Sequence, residues 1–216
     1  MLLYAITSRK LLPGDDAAQC DRLVELAAVW ASGGVNTIQV REKDLPLPEL
    51  QALAARVVEA VRLTGSRTCV VVNGPAQVAL DAGADGVHFH ANAGAAALRA
   101  ARQVYARTGR DPTVSAACHT PEEIRAAAGA SLLLFSPVFE KVTRERVLHG
   151  QGLAALRAAV DLAQPVPVLA LGGVTDKNAP ACVQAGAAGI AAIRLFLGDA
   201  WRALVETPQP AVRPSS

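Results

Sequence analysis

The chain has 216 residues, of which 51% are hydrophobic and 19% are charged, and this composition is too apolar for a disordered protein. No apolar run reaches the roughly 18 residues that a transmembrane helix needs, and no charged segment precedes the short apolar N-terminus, so we expect neither a membrane span nor a signal peptide. The formal net charge of +2 is too small to predict nucleic-acid binding. We therefore expect a cytoplasmic globular protein whose partner is a small molecule.

Apolar segments alternate with alanine-rich helical segments along the whole chain. Short apolar runs predict eight strands, at 2–7, 36–41, 68–73, 85–89, 113–117, 131–136, 166–172 and 189–193. Helix-compatible segments follow them at 18–32, 46–64, 75–82, 94–107, 121–128, 152–163, 176–185 and 198–206. The runs are continuously apolar rather than alternating, which favours parallel strands that are covered on both faces.

The repeated strand and helix units predict an α/β protein with a single (β/α)8 TIM barrel over residues 1–206. A doubly wound sheet is the alternative, but that fold favours a glycine-rich turn after the first strand, and here the turn begins Thr7-Ser8-Arg9. The segment 207–216 is rich in proline and serine and predicts a disordered C-terminal tail.

The cysteines are too far apart for a CxxC motif, so their pattern predicts reduced, mostly buried thiols rather than a zinc site. They are Cys20, Cys69, Cys118 and Cys182.

Gln39, Arg41 and Lys43 alternate at the end of the second predicted strand, so on an extended strand they share one face. Polar side chains that face a barrel interior are costly without a partner. We interpret these residues as hydrogen-bond donors for an anionic substrate, and a solvated charge run is the alternative.

Gly172 and Gly173 follow the seventh predicted strand and precede a helix expected to begin near Asp176. Glycine lets backbone N–H groups approach an anion closely, and a helix N-terminus favours negative charge. Barrels often bind phosphate with the loops after strands seven and eight, so the two glycines predict a phosphate site, with a plain tight turn as the alternative.

His119 follows the fifth predicted strand, and Thr120 with Glu123 fits a capping box at the start of a helix. A histidine held at the strand ends can carry a proton near neutral pH, which makes His119 the catalytic candidate, whereas a surface-loop histidine is the alternative. His88 and His90 share a strand face, but no carboxylate flanks them, so we expect no metal there.

The segment 39–45, QVREKDL, resembles the QLREKD signature of thiamine phosphate synthases. Further segments are similar to that family in the same order, namely DAGADGVHF (81–89), LLFSPVFE (133–140), GQGL (150–153) and VLALGGV (168–174). The similarity runs from about Leu3 to Leu197. The resemblance implies a (β/α)8 barrel and two subtypes, the synthases proper and the TenI-type proteins, which include thiazole tautomerases.

The chain departs from the synthase pattern where that pattern holds Mg²⁺. A synthase joins hydroxymethylpyrimidine diphosphate to thiazole phosphate, and the resemblance places its metal on aspartates after the third strand and after the fourth-strand histidine. Here those places read Asn73-Gly74-Pro75 and 88–94, which contains no acid, and hard Mg²⁺ needs carboxylate oxygens. The diphosphate loop retains only Thr143 and a basic residue, and Ala117 replaces the family serine.

These departures favour the TenI type, because Asn73-Gly74 resembles its Asn-Gly and the segment around His119 resembles its Val-His-Ser-x-Glu-Glu. The resemblance then implies that His119 is the proton shuttle. It implies that the substrate is bound by Gln39, Arg41, Lys43, Asn73, Thr143, Gly172, Gly173, Ala192 and Ile193.

We therefore expect a TenI-like enzyme of thiamine biosynthesis that aromatises a thiazole carboxylate phosphate tautomer without a metal, with Arg41 and Lys43 neutralising the carboxylate. Two alternatives stay open. One is a Mg²⁺-dependent thiamine phosphate synthase, and the other is a non-catalytic binder of thiamine-pathway phosphates. In each case the partner is a phosphorylated thiazole or pyrimidine. Members of the resembling family are often dimers or larger, which leaves a homo-oligomer open.

Overall fold

The computed structural model describes residues 1–142 and 147–205, without the side chains of Lys141 and Val142. Within these residues, eight parallel strands close into one barrel with helices packed outside it, which confirms the predicted (β/α)8 fold. Thr143 and the predicted tail at 207–216 lie outside the described residues.

The strands of the barrel have both faces buried, as their continuously apolar sequences require. They are β1 (Leu2–Ile6), β2 (Thr37–Val40), β3 (Cys69–Val72), β4 (Gly86–Phe89), β5 (Thr113–Cys118), β6 (Leu132–Phe135), β9 (Val168–Leu171) and β10 (Gly189–Ala192). Around the barrel they follow the order β1-β10-β9-β6-β5-β4-β3-β2. Two short strands, β7 (Lys141–Val142) and β8 (Val147–Leu148), pair in antiparallel fashion outside the barrel.

The described helices alternate with the barrel strands. They are α1 (Asp16–Ser32), α2 (Leu47–Leu63), α3 (Ala76–Asp81), α4 (Ala95–Ala106), α5 (Pro121–Ala126), α6 (Gly152–Ala163), α7 (Ala179–Gln184) and α8 (Arg202–Val205). Two 3-10 turns follow β1 and β10, at Arg9–Leu11 and Arg194–Leu197. None of the described helices is long and apolar enough to cross a membrane.

The core has two parts, one inside the barrel and one between the strands and the helices. The inner part consists of Tyr4, Ile6, Val71, Leu132, Leu134, Leu169 and Ala191. The outer part is larger and includes Trp30, whose indole N–H donates to the Phe196 carbonyl over 2.8 Å. This bond ties the turn after β10 to the last turn of α1.

The described cysteines form no disulfide, as predicted. Cys118 and Cys182 are buried, whereas Cys20 and Cys69 are only half-buried. Burial raises the pKa of the Cys118 thiol to about 12, so this neighbour of His119 stays protonated near neutral pH.

Candidate active site

The carboxyl ends of the barrel strands bring the predicted site residues to one rim, on two arcs that face each other across it. The cationic arc consists of Arg41, Lys43 and His90, which follow β2 and β4. The glycine arc consists of Gly172, Gly173, Ala192 and Ile193, at the ends of β9 and β10. Because β9 and β10 stand opposite β3 and β4 in the closed strand order, a ligand between the arcs would lie over the barrel mouth.

The backbone at the start of the cationic arc is fixed by a buried carboxylate. Glu42 is 4% exposed and accepts hydrogen bonds from the Thr7 hydroxyl (2.6 Å) and from the Arg9 backbone N–H (3.1 Å to each oxygen). The Thr7 hydroxyl oxygen in turn accepts from the Arg41 backbone N–H over 2.8 Å. Glu42 is therefore directed toward β1.

Arg9 completes this anchor, because its guanidinium contacts Glu42 and forms two bonds to Asp44, of 2.6 and 2.7 Å. The hydrogen bond from Arg9 is also the main reason why the pKa of Asp44 lies below its usual range. Both carboxylates of the REKD segment (41–44) are thus hydrogen-bonded to Arg9 or its neighbours.

The prediction that Gln39, Arg41 and Lys43 share one strand face is only partly right. β2 ends at Val40, and Lys43 lies in an exposed turn, while Gln39 is 1% exposed. The strand ends early because the next residues bond to Thr7 and Arg9 rather than continuing the ladder.

The cationic arc brings the charges of Arg41 and Lys43 to one side of the rim, while Arg194 follows β10 on the other side. Burial lowers the pKa of Arg41, whereas the pKa of Lys43 in its exposed turn is lowered by partial desolvation and then by the Arg41 charge. His90 is exposed, and its pKa is lowered first by partial desolvation and then by the charges of Lys43 and Arg41. The charged forms of these side chains are therefore disfavoured in the unliganded protein, and a bound anion would stabilise them.

A buried polar chain lies beneath the arc. His88 is 6% exposed, and its Nδ1 lies 2.9 Å from the Ser115 hydroxyl, which lies 3.0 Å from the Tyr4 hydroxyl. Burial, followed by the charges of His90 and Arg41, lowers the pKa of His88 to about 3, so its ring is neutral at pH 7. Gln39 Oε1 is buried and meets no hydrogen-bond partner in the described part of the chain.

The residues that follow β3 do not fit Mg²⁺. Asn73 is half-buried at the end of β3 and is followed by Gly74, so the position supplies no carboxylate. Across 1–142 and 147–205, no group of three or more His, Cys, Asp or Glu residues is placed to hold a metal ion. Oxygen-rich carboxylate ligation is what a hard divalent cation requires, and here cationic side chains occupy the rim instead.

The glycine arc borders a cavity of about 680 Å³, a size suited to a small phosphorylated ligand. Its lining consists of Ser8, Leu11, Glu140, Leu171, Gly172, Gly173, Val174, Thr175, Asp176, Ala191, Ala192, Ile193, Arg194 and Leu195. The lining thus contains all four residues of the glycine arc and none of the cationic arc.

The two glycines are required by a close backbone contact. Both have positive φ, +95° at Gly172 and +65° at Gly173. A Cβ at Gly173 would lie 2.5 Å from the Glu140 carbonyl oxygen, and one at Gly172 would lie 2.8 Å from Pro137 Cα. The segment after β6, residues 137–140, therefore packs directly on this loop. A side chain at either glycine would collide with that segment, which is one physical reason for the glycines.

The prediction of a helix beginning near Asp176 is wrong, because α7 begins at Ala179 and has only six residues. Thr175 and Asn178 hold the intervening turn through reciprocal hydrogen bonds of 2.8 and 3.3 Å. The Asn178 amide also donates to the Gly173 carbonyl over 3.0 Å. The predicted helix N-terminus is therefore not part of the expected phosphate site. The backbone of the glycine loop is the part of that prediction that remains.

His119 lies between the arcs, directly after β5, where a capping box fixes its backbone. Thr120 caps α5 by accepting from the Glu123 N–H, and the Glu123 carboxylate accepts from the N–H groups of Thr120 (3.2 Å) and His119 (2.6 Å). The capping box predicted from the sequence is thus confirmed. The side chain of His119 is exposed to the rim.

The imidazole of His119 is oriented by a backbone carbonyl. Its Nδ1 lies 2.7 Å from the Ser136 carbonyl oxygen and 3.2 Å from the Ser136 hydroxyl. A carbonyl only accepts hydrogen bonds, so Nδ1 carries the proton in the neutral ring and Nε2 keeps a free lone pair. His119 is therefore arranged to accept a proton at Nε2.

His119 is linked to the glycine arc through the segment after β6. The Val138 and Phe139 N–H groups donate to the Leu171 and Gly172 carbonyls over 2.9 and 3.0 Å. Ser136, which orients His119, comes just before that segment. The proton-transfer candidate and the glycine loop are therefore held by one continuous piece of chain.

Sequence reasoning missed several residues of this site. Ser8, Leu11 and Glu140 line the cavity, and Ser136 orients His119. Ser8 continues the alternation of the inward residues Tyr4 and Ile6, so the period of two residues was a usable signal for it. The position of Glu140 depends on the path of a loop, for which the sequence gives no periodic signal.

The geometry can be compared with known proteins. A sequence model of a family described as thiamine monophosphate synthase matches residues 3–196. The chain belongs to this family. A putative thiamine-phosphate synthase of Geobacter sulfurreducens is 34% identical over 199 residues, which cover 91% of this chain and 87% of the relative. A thiamine-phosphate synthase of Anaeromyxobacter dehalogenans is 39% identical over 183 residues, with coverages of 82% and 77%.

A solved structure agrees with the family. The thiamine phosphate pyrophosphorylase of Pyrococcus furiosus has a TM-score of 0.72 and 27% identity to this chain, and the match covers 93% of this chain and 90% of that one. Membership in the thiamine monophosphate synthase family confirms the resemblance inferred from the REKD segment. It does not distinguish the TenI type, and the names of the relatives support the synthase alternative better than the isomerase expectation.

Proposed function

We propose that this chain is an enzyme of thiamine biosynthesis that holds a phosphorylated thiazole between the two arcs. The phosphate would lie in the 680 Å³ cavity against the backbone of Gly172, Gly173, Ala192 and Ile193. The cationic arc would face the other end of the ligand. Such binding at a distance from the reacting atoms supplies positioning.

The chemistry that the side chains fit best is proton transfer through His119. Its Nδ1–H stays on the Ser136 carbonyl, so Nε2 takes a proton from one ring position of a thiazole carboxylate phosphate tautomer. The resulting imidazolium returns that proton to another position, which leaves the aromatic isomer and a neutral histidine. Arg41 and Lys43 would offset the carboxylate charge, and no metal is needed.

The test measures the rate at which the tautomer is aromatised in the presence of a metal chelator. Wild type and His119→Asn are compared with the uncatalysed background. We expect the variant to lose about two to four orders of magnitude in kcat, the usual contribution of a general acid–base, with little change in substrate binding. His149→Asn is the histidine control, because His149 is exposed and does not itself line the cavity, although its ring lies 3.7 Å from the cavity residue Glu140. Equal turnover by wild type and His119→Asn would remove His119 from the mechanism.

A second candidate, thiamine-phosphate synthase, is favoured by the names of the relatives and by one feature of the barrel. Gln39 Oε1 is buried without a donor, and the amino group of a pyrimidine substrate would supply one. The residues around Asn73 and Gly74 do not fit the metal that this reaction implies, so we derive no step through it.

The synthase candidate is tested by pyrophosphate release from hydroxymethylpyrimidine diphosphate and thiazole phosphate, with and without Mg²⁺. Pyrophosphate release by wild type that is lost in Gln39→Leu would establish the synthase activity over the isomerase activity. No release at high enzyme concentration would reject it. Failure of both assays, with retained ligand affinity, would leave a non-catalytic binder of these phosphates.

A further inference from the structure

We propose that Gln151 is a positioning residue for His119, because both side chains donate hydrogen bonds to the same oxygen, the carbonyl of Ser136. Gln151 would hold this oxygen against the imidazole and so keep the proton of the neutral ring on Nδ1. The proposal deepens the proposed function and rests on it for the part that His119 plays in catalysis. It also gives a role to the GQGL segment (150–153), which has no other part in the proposed chemistry.

The Ser136 carbonyl oxygen is shared by two nitrogen donors. It lies 2.7 Å from His119 Nδ1 and 3.0 Å from Gln151 Nε2. A carbonyl oxygen has two lone pairs and no proton, so each nitrogen must be the donor. The two bonds together fill the hydrogen-bonding capacity of this oxygen.

The side chain of Gln151 is directed to Ser136 rather than to its own helix. Gln151 is the N-cap residue of α6, where a side chain commonly accepts from an N–H group of the first turn. Its side chain makes no such capping bond, and glutamine is not among the residue types that favour this position. The start of the helix therefore gives no reason for a glutamine here, whereas the bond to Ser136 does.

The backbone around Gln151 is fixed against the segment after β6. The N–H groups of Gln151 and Gly152 donate to the carbonyls of Pro137 and Val138, each over 2.9 Å. Gly150 packs so closely that a Cβ there would lie 2.6 Å from the Val138 carbonyl oxygen. None of these contacts uses the side chain of Gln151, so a substitution at this position that keeps the backbone N–H should leave them in place.

Ser136 offers His119 two chemically different groups, and Gln151 favours one of them. The carbonyl can only accept, which requires the proton on Nδ1, whereas the hydroxyl, 3.2 Å from Nδ1, can also donate. If the hydroxyl donates, Nδ1 becomes the acceptor and the proton lies on Nε2, which can then no longer act as the base. The bond from Gln151 holds the carbonyl at the ring and so disfavours this second arrangement.

The first test is nitrogen-15 NMR of the full chain with labelled histidine, at about pH 8.5, where an imidazole is ordinarily neutral. The nitrogen shifts distinguish the two tautomers, and the spectrum of His119→Asn identifies the His119 signals. Wild type should show mainly the Nδ1–H form. Gln151→Met keeps the length of the side chain and removes the donor, so it should raise the ratio of Nε2–H to Nδ1–H about fivefold, as expected for one neutral hydrogen bond. Gln151→Leu should do the same.

The second test combines Gln151→Met with Ser136→Ala. The alanine removes the hydroxyl that would donate to Nδ1, so the double variant should return to the wild-type tautomer ratio. A merely structural role of Gln151 predicts the opposite, since a second truncation would add to the damage. In the aromatisation assay, kcat of Gln151→Met should fall at least in proportion to the lost Nδ1–H fraction, with KM unchanged, and should recover in the double variant.

Gln77→Met is the matched control, because Gln77 is an exposed glutamine whose amide donates one hydrogen bond of 2.7 Å, to Asp81 on α3. Its His119 signals and kcat should equal those of wild type. An unchanged tautomer ratio in Gln151→Met, or an Nε2–H form that persists in the double variant, would overturn the proposal. The NMR result does not depend on turnover, so it stands apart from a failure of the proposed function, and urea unfolding of each variant separates a change of tautomer from a loss of fold.

Discussion

The cationic arc and the glycine arc differ in the kind of contact that each would give to the proposed anionic ligand. The cationic arc presents charged and titratable side chains, held from behind by Glu42 and Arg9. The glycine arc presents backbone, shaped by two positive-φ glycines against the segment after β6. Side-chain contacts can be removed by truncation and change with pH, whereas backbone contacts persist in every variant and can only be blocked by adding atoms.

The largest expected effect comes from blocking the glycine arc. Gly173→Ala places a Cβ 2.5 Å from the Glu140 carbonyl oxygen, at a φ of +65°. We expect the free energy of unfolding to fall by about 2–4 kcal/mol, because both strain and overpacking contribute, and inorganic phosphate affinity to fall with it. Urea unfolding and phosphate titration measure the two effects.

Gly65→Ala is the matched control for this change. Gly65 has a φ of +72° but no atom within 4 Å of the added Cβ, so only the backbone cost of roughly 1 kcal/mol should remain. Equal destabilisation by the two substitutions would mean that the contact with the segment after β6 is unimportant.

An intermediate effect should appear in the pH dependence of the free energy of unfolding, through His88 beneath the cationic arc. The pKa of His88 is about 3 in the folded chain and near 6.5 when unfolded, so the unfolded state takes up the proton first as the pH falls. His88 therefore contributes stability that is complete above about pH 6.5 and is lost toward pH 3. At pH 5 the loss relative to pH 7 should be about 2 kcal/mol.

His88→Gln should abolish this component, so its free energy of unfolding should fall less between pH 7 and pH 5 than that of wild type. The exposed His149→Gln should follow wild type. Urea unfolding at a series of pH values measures the difference, and parallel curves for wild type and His88→Gln would contradict the buried neutral ring.

The smallest expected effect is that of Ser136→Ala. The variant removes the hydroxyl 3.2 Å from His119 Nδ1 but keeps the carbonyl oxygen at 2.7 Å. We expect kcat in the aromatisation assay to change by less than about threefold, since the retained carbonyl still fixes the tautomer. A loss as large as that of His119→Asn would show that the hydroxyl, and not the backbone, orients the ring.

Much of the barrel was predictable, because its strands are unbroken apolar runs that need cover on both faces. The capping box at α5 was also predictable from the spacing of Thr120 and Glu123. The start of α7 was not, since Thr175 and Asn178 hydrogen-bond to each other and hold a turn where helix propensity alone would continue the helix.

The candidate site was predictable as a set of strand ends but not as a set of contacts. The positions after the second and fifth predicted strands placed Arg41 and His119 at one rim, and the resemblance to the family assigned a role to each. The bond from His119 to the Ser136 carbonyl joins residues 17 apart across two strands, and local patterns contain no information on such a pair. The unpartnered Gln39 oxygen likewise appears only when its three-dimensional surroundings are known.

The close fit between the glycine loop and the segment after β6 has a consequence for protein engineering. Val138 and Phe139 extend the hydrogen-bond ladder onto Leu171 and Gly172, while Gly173 lies against Glu140. The two segments are thus interlocked parts of a single joint. Loop grafting from another barrel will succeed only when both are exchanged together, and directed evolution of either one should select compensating changes in the other.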